Sequence, residues 1–207
     1  MSEKTIWDSY ANWSDVSRLE SIGAVKEMIV GPTGAWQPNY ISPTLAQAME
    51  TAVRDLQEKN QVPPVVMDFG CGLGRNAALL KQFFPRVVGY DMPEMIQRLR
   101  EAHPHDLDKV YDAVYDDLSV LAAKENVHAV FDSVVFQHIL DMDYAKQMTD
   151  RLMRMPALSI LITLGIRVSP MLYFFNNDHP WRPMHAEVDW KTFNGIPHLT
   201  MIFRRDS

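Results

Sequence analysis

A short apolar run that ends in three closely spaced glycines constrains this chain more than any other feature. Residues 65–69 (VVMDF) favour a β-strand, and Gly70, Gly72 and Gly74 follow at every second position. Glycine is costly in ordered structure, but it lets the backbone turn sharply and lets a ligand lie against it without a Cβ clash. A merely tight turn would need one glycine. The three glycines therefore predict a ligand-binding turn directly after a strand.

Strand-like and helix-like segments alternate along the chain from Thr44 onward. The strand-like runs lack polar alternation, as expected when helices cover both faces of a sheet. They are residues 65–69, 86–90, 109–115, 129–137 and 157–166, separated by helical patterns at 76–84, 93–102, 117–125 and 143–155. This alternation predicts an α/β protein with a doubly wound, mostly parallel sheet. The tail departs from it, because Asn194-Gly195 between strand-like residues favours an antiparallel hairpin.

Composition and charge narrow the class of protein. A chain of 207 residues with 47% hydrophobic residues fits one soluble domain. Its net charge of −6 argues against nucleic acid as a partner, because phosphate binding relies on Lys and Arg. One cysteine excludes an internal disulfide and fits a reducing compartment. The N-terminus lacks a signal-peptide apolar core, and the run 157–166 is too short to span a bilayer. We expect a cytoplasmic protein without membrane contact.

The acids around the glycines indicate which ligand the turn binds. The dinucleotide fingerprint requires a glycine where this chain has Arg75. The pattern Asp68-x-Gly-x-Gly-x-Gly, followed by Asp91 after a second strand, instead resembles the S-adenosylmethionine-dependent methyltransferases of the Rossmann-like class, over roughly residues 65–140. The resemblance implies a seven-stranded sheet in the order 3-2-1-4-5-7-6. It also implies S-adenosylmethionine as cofactor and methyl transfer as the reaction.

The resemblance assigns cofactor-binding roles to residues in the first half of the motif. Asp68 corresponds to the acid that helps hold the methionine amino group, often through water. Asp91 would accept hydrogen bonds from both ribose hydroxyls, because a carboxylate offers two acceptors to the two donors of a cis-diol, and Met92 would pack beside the adenine. The residues expected to pass under the cofactor are Gly70, Cys71, Gly72 and Gly74.

Later segments complete the implied site. Asp117 and Leu118 fall where the family contacts the adenine amino group and edge, and Phe136 and Gln137 fall where it contacts the methionine end. His138 is the candidate catalytic base, because its position follows the fourth strand and its ordinary pKa suits proton transfer at neutral pH. His138 could instead cap or pack behind Gln137.

Several of these residues have simpler explanations. Asp91 and Glu94 also form a good helix start, with a capping acid and a glutamate three residues on. Asp116 and Asp117 are adjacent acids in a turn, where such residues are often just solvated, and the register of the adenine contact could shift by one. Cys71 has no base implied nearby and is interpreted as a small filler residue.

The acceptor is expected to be a small molecule, and the residues leave its identity open. The chain lacks the Asn/Asp-Pro-Pro-aromatic motif of enzymes that methylate amino groups of bases, and its cysteine is misplaced for cytosine C5 chemistry. Aromatic residues concentrate in the N-terminal 43 residues, interpreted as a lid over the domain 44–207, and in the tail from 167. His179, His185 and Asp189 are weaker acceptor-site candidates. No metal site is predicted, because the spacing of His103 and His105 fits no zinc pattern.

Two other functions stay open at this level. The chain could bind S-adenosylmethionine as a sensor or partner-dependent subunit without transferring a methyl group, or it could methylate a protein or a nucleic acid. A dehydrogenase is disfavoured, because the glycine spacing is wrong and no separate substrate domain fits. The oligomeric state is not indicated.

Overall fold

Helices and strands alternate along the chain as the sequence predicts. The computed structural model describes residues 42–60, 62–133, 135–136, 139, 142–165, 181–193 and 196–205. In chain order the elements are α1 Pro43–Asn60, β1 Val65–Phe69, α2 Ala77–Leu80, β2 Arg86–Tyr90, α3 Pro93–Ala102, α4 Leu107–Val110, β3 Ala113–Tyr115, α5 Leu118–Lys124, β4 Val127–Ser133, α6 Met142–Met153, β5 Ile160–Gly165, β6 Trp181–Phe193 and β7 Ile196–Arg205. Among these helices, none is long and apolar enough to cross a membrane.

The described strands form one seven-stranded sheet in the order β3-β2-β1-β4-β5-β7-β6. Strands β1 to β5 pair in parallel, and β7 pairs antiparallel with both β5 and β6. The predicted strand order, the mostly parallel sheet and the C-terminal antiparallel hairpin are therefore confirmed. Phe69 of β1 pairs with Tyr90 of β2 and with Asp132 of β4, so these strands end at one edge of the sheet. That edge is where open α/β sheets bind ligands.

Apolar side chains cover both faces of the sheet, which explains why its strands lack polar alternation. One face packs against α1, α2 and α3, with Met49, Leu80 and Leu99 fully buried. The opposite face packs against α5 and α6, with Leu121 and Leu152 fully buried. All five residues of β1 are buried, so the glycine turn follows directly from a strand of the core.

Several element boundaries differ from the sequence prediction, and α2 covers only Ala77–Leu80 of the helical pattern at 76–84. Residues 109–115 were expected to form one strand, but a short helix, α4, occupies the first part and the Tyr111 N–H donates to the Leu107 carbonyl at 2.9 Å. Strand β3 is consequently short. The strand predicted at 129–137 ends at Ser133, because the Asp132 side chain accepts the N–H groups of Val135 and Phe136 and turns the chain. The last strand before the tail is shorter than 157–166, because β5 begins at Ile160.

Helix α1 begins where the sequence indicates, and β6 anchors its start. Ser42 caps the helix by accepting the Leu45 N–H at 3.0 Å. The Glu187 carboxylate of β6 accepts hydrogen bonds from the hydroxyls of Ser42 and Thr44, the second at 2.5 Å. Residues 1–41, which hold most of the predicted lid, lie outside the described residues.

Candidate functional site

The turn after β1 uses its three glycines for different reasons. All three adopt positive φ, with 71° at Gly70, 52° at Gly72 and 92° at Gly74. A Cβ on Gly70 would overlap the Val135 side chain, and one on Gly74 would lie 2.7 Å from Val110 Cγ1. A Cβ on Gly72 would meet nothing within 4 Å. Packing within the protein therefore demands the first and third glycines, whereas Gly72 borders open space.

The Asp91 carboxylate joins the ends of β1 and β2. Asp91 Oδ2 accepts the Gly72 N–H at 2.8 Å, and Asp91 Oδ1 accepts the Met92 N–H at 2.7 Å. Burial raises the pKa of Asp91 to about 6, although these two N–H groups oppose the rise. The N-cap of α3 is Met92, not Asp91. The capping interpretation of Asp91 is therefore not supported, and the carboxylate faces the glycine turn instead.

Asp68 is a fully buried carboxylate beneath the same turn. Its Oδ2 accepts the Tyr111 hydroxyl at 2.5 Å. Its Oδ1 meets no partner in hydrogen-bond geometry among the described residues, although Asn76 is close enough to lower the pKa. Burial has the larger effect and raises the pKa of Asp68 to about 6. The hydrogen bonds from Tyr111 and Asn76 and the positive charge of Arg75 oppose this rise, and Oδ1 keeps capacity to accept a further hydrogen bond.

Asp117 has a structural role that accounts for its position. It is the N-cap of α5, where its Oδ1 accepts the N–H groups of Ser119 at 2.7 Å and Val120 at 3.4 Å. These hydrogen bonds hold the pKa of Asp117 below its usual range. Asp117 and Asp116 are both exposed, whereas Leu118 is buried against the core. If Asp117 contacts an adenine, its carboxylate must do so while it also caps α5.

The chain after β4 packs against the end of β1. Phe136 is buried and its ring stacks on Phe69, with centroids 5.2 Å apart. Phe69 also stacks on Tyr90, with centroids 5.5 Å apart. Gln137 and His138, the predicted methionine-end contact and catalytic base, lie outside the described residues.

Sequence reasoning missed three side chains that shape this edge: Tyr111, Asp132 and Thr163. Tyr111 was placed in a strand, yet it is buried beneath the glycine turn and supplies the Asp68 hydrogen bond. Asp132 is fully buried in β4, and burial raises its pKa to about 7 although several hydrogen bonds oppose the rise. One of these comes from the Thr163 hydroxyl at 3.0 Å. An acid inside an apolar strand run was the available signal for Asp132.

Of the weaker acceptor-site candidates, His185 has a structural role, and the side chains of the others lie outside the described part of the chain. His185 Nε2 lies 3.2 Å from Glu187 Oε2, within the cluster that anchors α1 to β6. His179 and the Asp189 side chain lie outside the described residues. Burial raises the pKa of the Cys71 thiol well above its usual range, which agrees with a filler rather than a nucleophile. Across the described segments, no group of three or more His, Cys, Asp and Glu residues could hold a metal ion.

His103 also contacts the glycine turn. Its Nε2 lies 3.1 Å from the Leu73 carbonyl oxygen, and its Nδ1 lies 3.6 Å from Asp106 Oδ1. The histidine that the sequence analysis weighed as a metal ligand therefore supports the backbone of the turn.

Comparisons with known proteins agree with this arrangement. A family model described as a methyltransferase domain matches residues 42–150. The fold resembles magnesium protoporphyrin IX methyltransferase from Synechocystis PCC 6803 with bound S-adenosylmethionine, with a TM-score of 0.61, 17% identity, and coverage of 100% of this chain and 98% of that chain. A search of curated proteins finds no match.

Two further solved structures share the fold. The N-methyltransferase NodS from Bradyrhizobium japonicum WM9, in complex with S-adenosylhomocysteine, gives a TM-score of 0.53 at 14% identity, covering 78% of this chain and 87% of that chain. A putative tRNA (m1A22) methyltransferase from Streptococcus pneumoniae, in complex with S-adenosylmethionine, gives 0.52 at 12% identity, covering 81% and 74%.

The family match spans more than half of the chain and includes the glycine turn, Asp91 and the start of α6. The expectations of a Rossmann-like methyltransferase and of S-adenosylmethionine as its methyl donor are thereby confirmed at the level of the family. This chain belongs to the methyltransferase-domain family.

Proposed function

We propose that the chain binds S-adenosylmethionine over the glycine turn and transfers its methyl group to a small-molecule acceptor. The observation that carries this proposal is the convergence of Gly72, Asp91 and Asp68 at one edge of the sheet. Each presents a different feature that complements the cofactor. Gly72 offers an open backbone surface, Asp91 a carboxylate with spare acceptor capacity, and Asp68 a buried carboxylate.

The donors and acceptors present fit the proposed cofactor. Each Asp91 oxygen accepts one backbone N–H and retains acceptor capacity, so the carboxylate can still take both hydroxyls of a ribose. Asp68 Oδ1 is suited to the cationic amino group of the methionine moiety, directly or through water, because that group would offset its buried charge. The open space beside Gly72 leaves room for a ligand against the backbone.

The remaining cofactor contacts are proposed from the motif. Gly70, Cys71 and Gly74 shape the turn on which the cofactor lies, and Met92 and Leu118 line its adenine. Asp117 would contact the adenine amino group while it caps α5. Phe136 and Gln137 would border the methionine end.

The proposed cofactor supplies a methyl group on a positively charged sulfur. The protein's task is then to hold acceptor and methyl group in line and to exclude water, and such orientation accounts for about 7–11 kcal/mol of a reaction barrier. We assign to His138 the role of general base, which is required where the acceptor must lose a proton. We assign to residues 1–43 the role of a lid over the acceptor side.

Charge favours a small-molecule acceptor over a nucleic acid. The net charge of −6 gives no general attraction to phosphates. The structural relatives include both a magnesium protoporphyrin IX methyltransferase and a putative tRNA methyltransferase, so they leave the acceptor class open. The alternative of a non-catalytic cofactor-binding protein predicts the same binding but no turnover.

Calorimetric titration with S-adenosylmethionine, S-adenosylhomocysteine and NAD tests the cofactor assignment. We expect micromolar binding of the two sulfur compounds by the wild type and its loss in Asp91→Ala. Asp108→Ala is the matched control, because it removes the same charge from an exposed position in α4 and should bind normally. Binding of NAD instead, or of none of the three, would overturn the proposal.

Turnover then separates the acceptor classes. Formation of S-adenosylhomocysteine from S-adenosylmethionine would be measured with pools of small metabolites, transfer RNA and protein. Turnover with the small-molecule pool supports the proposal, and turnover with either macromolecular pool contradicts the acceptor class. Tight binding without turnover in any pool would favour the non-catalytic alternative.

A further inference from the structure

Asp132 holds the backbone that follows β4 in a defined turn. Its carboxylate is fully buried, and each oxygen has a separate task. Oδ2 accepts the hydroxyl of Thr163 in β5 at 3.0 Å. Oδ1 accepts the backbone N–H groups of Val135 at 3.0 Å and Phe136 at 3.4 Å. The Thr163 hydrogen bond orients the carboxylate, and the oriented carboxylate then sets the turn.

The two residues held by Asp132 pack against the start of the glycine turn, at Gly70 and at Phe69 before it. The Val135 side chain lies so close to Gly70 that a Cβ on the glycine would overlap it. The Phe136 ring stacks on Phe69, the residue directly before Gly70, at an interplanar angle of 16°. The turn after β4 is therefore packed against the turn after β1 through two adjacent residues. A shift of one turn would disturb the other, because packed interfaces have little free volume.

The sequence continues from Phe136 directly into Gln137 and His138, which carry the proposed methionine-end and proton-transfer roles. We infer that Asp132, oriented by Thr163, is a positioning residue that couples the glycine turn to Val135 and Phe136. The inference rests on the proposed function, because it assumes that the glycine turn holds the cofactor. Neither Asp132 nor Thr163 contacts the cofactor in this scheme; both act through Val135 and Phe136.

The coupling predicts a local response to ligand. A ligand bound over the glycine turn restricts the motion of Gly70. Because Val135 packs against Gly70, its motion is restricted too. Exchange of the Val135 and Phe136 amides should therefore slow when S-adenosylhomocysteine binds, beyond any slowing in α1, which packs against β6 and β7. Loss of the hydrogen bond that orients Asp132 should remove this response.

The experiment compares two substitutions of one residue. Thr163→Val removes the hydroxyl with nearly unchanged shape, and Thr163→Ser keeps the hydroxyl and serves as the matched control. Exchange would be measured by mass spectrometry on wild type and both variants, with and without S-adenosylhomocysteine. Calorimetry on the same samples would report the affinity for that ligand.

We expect Thr163→Val to speed exchange of the Val135 and Phe136 amides roughly tenfold, the scale of one lost buried hydrogen bond, and to abolish the ligand-dependent slowing of these amides. Thr163→Ser should retain the wild-type response. If amide exchange in Thr163→Val accelerated equally in all segments, Thr163 would contribute only to overall stability and the inference would be overturned. An unchanged ligand response in Thr163→Val would overturn it too. Failure of the wild type to bind S-adenosylhomocysteine would instead overturn the proposed function, and the inference with it.

Discussion

Gly72 donates its backbone N–H to the Asp91 carboxylate, with 2.8 Å between Gly72 N and Asp91 Oδ2. The two residues are 19 positions apart in sequence and follow neighbouring parallel strands. Their contact places the glycine with the open surface directly beside the acid proposed to bind ribose. The same hydrogen bond orients the carboxylate before any ligand arrives, which lowers the cost of ordering it on binding.

Gly72→Ala should separate ligand binding from stability. Its φ of 52° allows an alanine at a cost of about 1 kcal/mol, and a Cβ there meets no protein atom within 4 Å. The methyl group would occupy the space proposed for the cofactor. We expect affinity for S-adenosylhomocysteine to fall about 30-fold or more, the equivalent of about 2 kcal/mol. Calorimetry and thermal melting without ligand would measure the two effects.

Gly74→Ala is the control for Gly72→Ala, because it should lower the stability of the ligand-free protein far more. Its φ of 92° and the approach of a Cβ to Val110 Cγ1 at 2.7 Å make alanine strained and overpacked. We expect the free energy of unfolding to fall by about 2 kcal/mol or more in the absence of ligand. Equal stability of the two variants would contradict the distinction drawn between the glycines.

Tyr111→Phe should weaken both the fold and the ligand site. The substitution removes the hydroxyl that donates to Asp68 Oδ2 at 2.5 Å, so the buried carboxylate loses one hydrogen bond. We expect a loss of about 1–3 kcal/mol in the free energy of unfolding, measured by chemical denaturation. Affinity for S-adenosylmethionine should fall too, because the Tyr111 hydrogen bond lowers the Asp68 pKa and its loss favours the neutral acid.

Tyr115→Phe is the matched control for the same chemical change. The Tyr115 hydroxyl donates to Glu125 Oε1 at 2.7 Å, near the edge of the sheet, and Glu125 keeps Arg86 as a partner. Destabilisation below about 1 kcal/mol and unchanged ligand affinity are expected. A comparable loss of affinity in both variants would argue against a specific role for Tyr111.

Asp68 should make the ligand-free protein less stable as pH rises. Its folded pKa of about 6 lies above the ordinary value of 3.8, so the stability linked to its protonation is present below about pH 4 and lost as pH rises through about 6. Asp68→Asn lacks this titration. The free energy of unfolding of the variant minus that of wild type should therefore increase by about 2 kcal/mol as pH rises from about 4 to about 7. Denaturant unfolding across this range would measure the difference, and a flat difference would contradict the raised pKa.

Ligand binding should have the opposite pH dependence. Asp68 and Asp91 both have pKa values raised to about 6, and both must be ionised to serve as full acceptors. Affinity for S-adenosylmethionine should therefore fall as pH drops below 6, by up to roughly tenfold per pH unit for each carboxylate. Calorimetry in two buffers of different ionisation enthalpy should detect proton release near pH 6. Binding that is independent of pH between about 5 and 7 would exclude a role for these ionisations.

The sequence predicted the parts of the site that depend on local pattern. The strand 65–69, the glycines after it and the acid after the second strand lie within short segments whose residue types specify their conformation. The motif resemblance then supplied the strand order, which the sheet confirms. Errors occurred where tertiary contacts override local preference. The run 109–115 reads as one strand, but α4 extends to Val110 and β3 begins only at Ala113. Tyr111, between them, is buried beneath the glycine turn.

By itself, then, the sequence determined the fold class, the ligand turn and the identity of its acids, because strand alternation and glycine spacing are properties of neighbouring residues. Only the tertiary structure decided how those groups are used. It paired Tyr111 with Asp68, packed Val135 against Gly70, and assigned Asp117 to a helix cap. These contacts join residues from separate elements, so they depend on strand register and on which side chains meet when the sheet is covered. Local propensity contains no information on either.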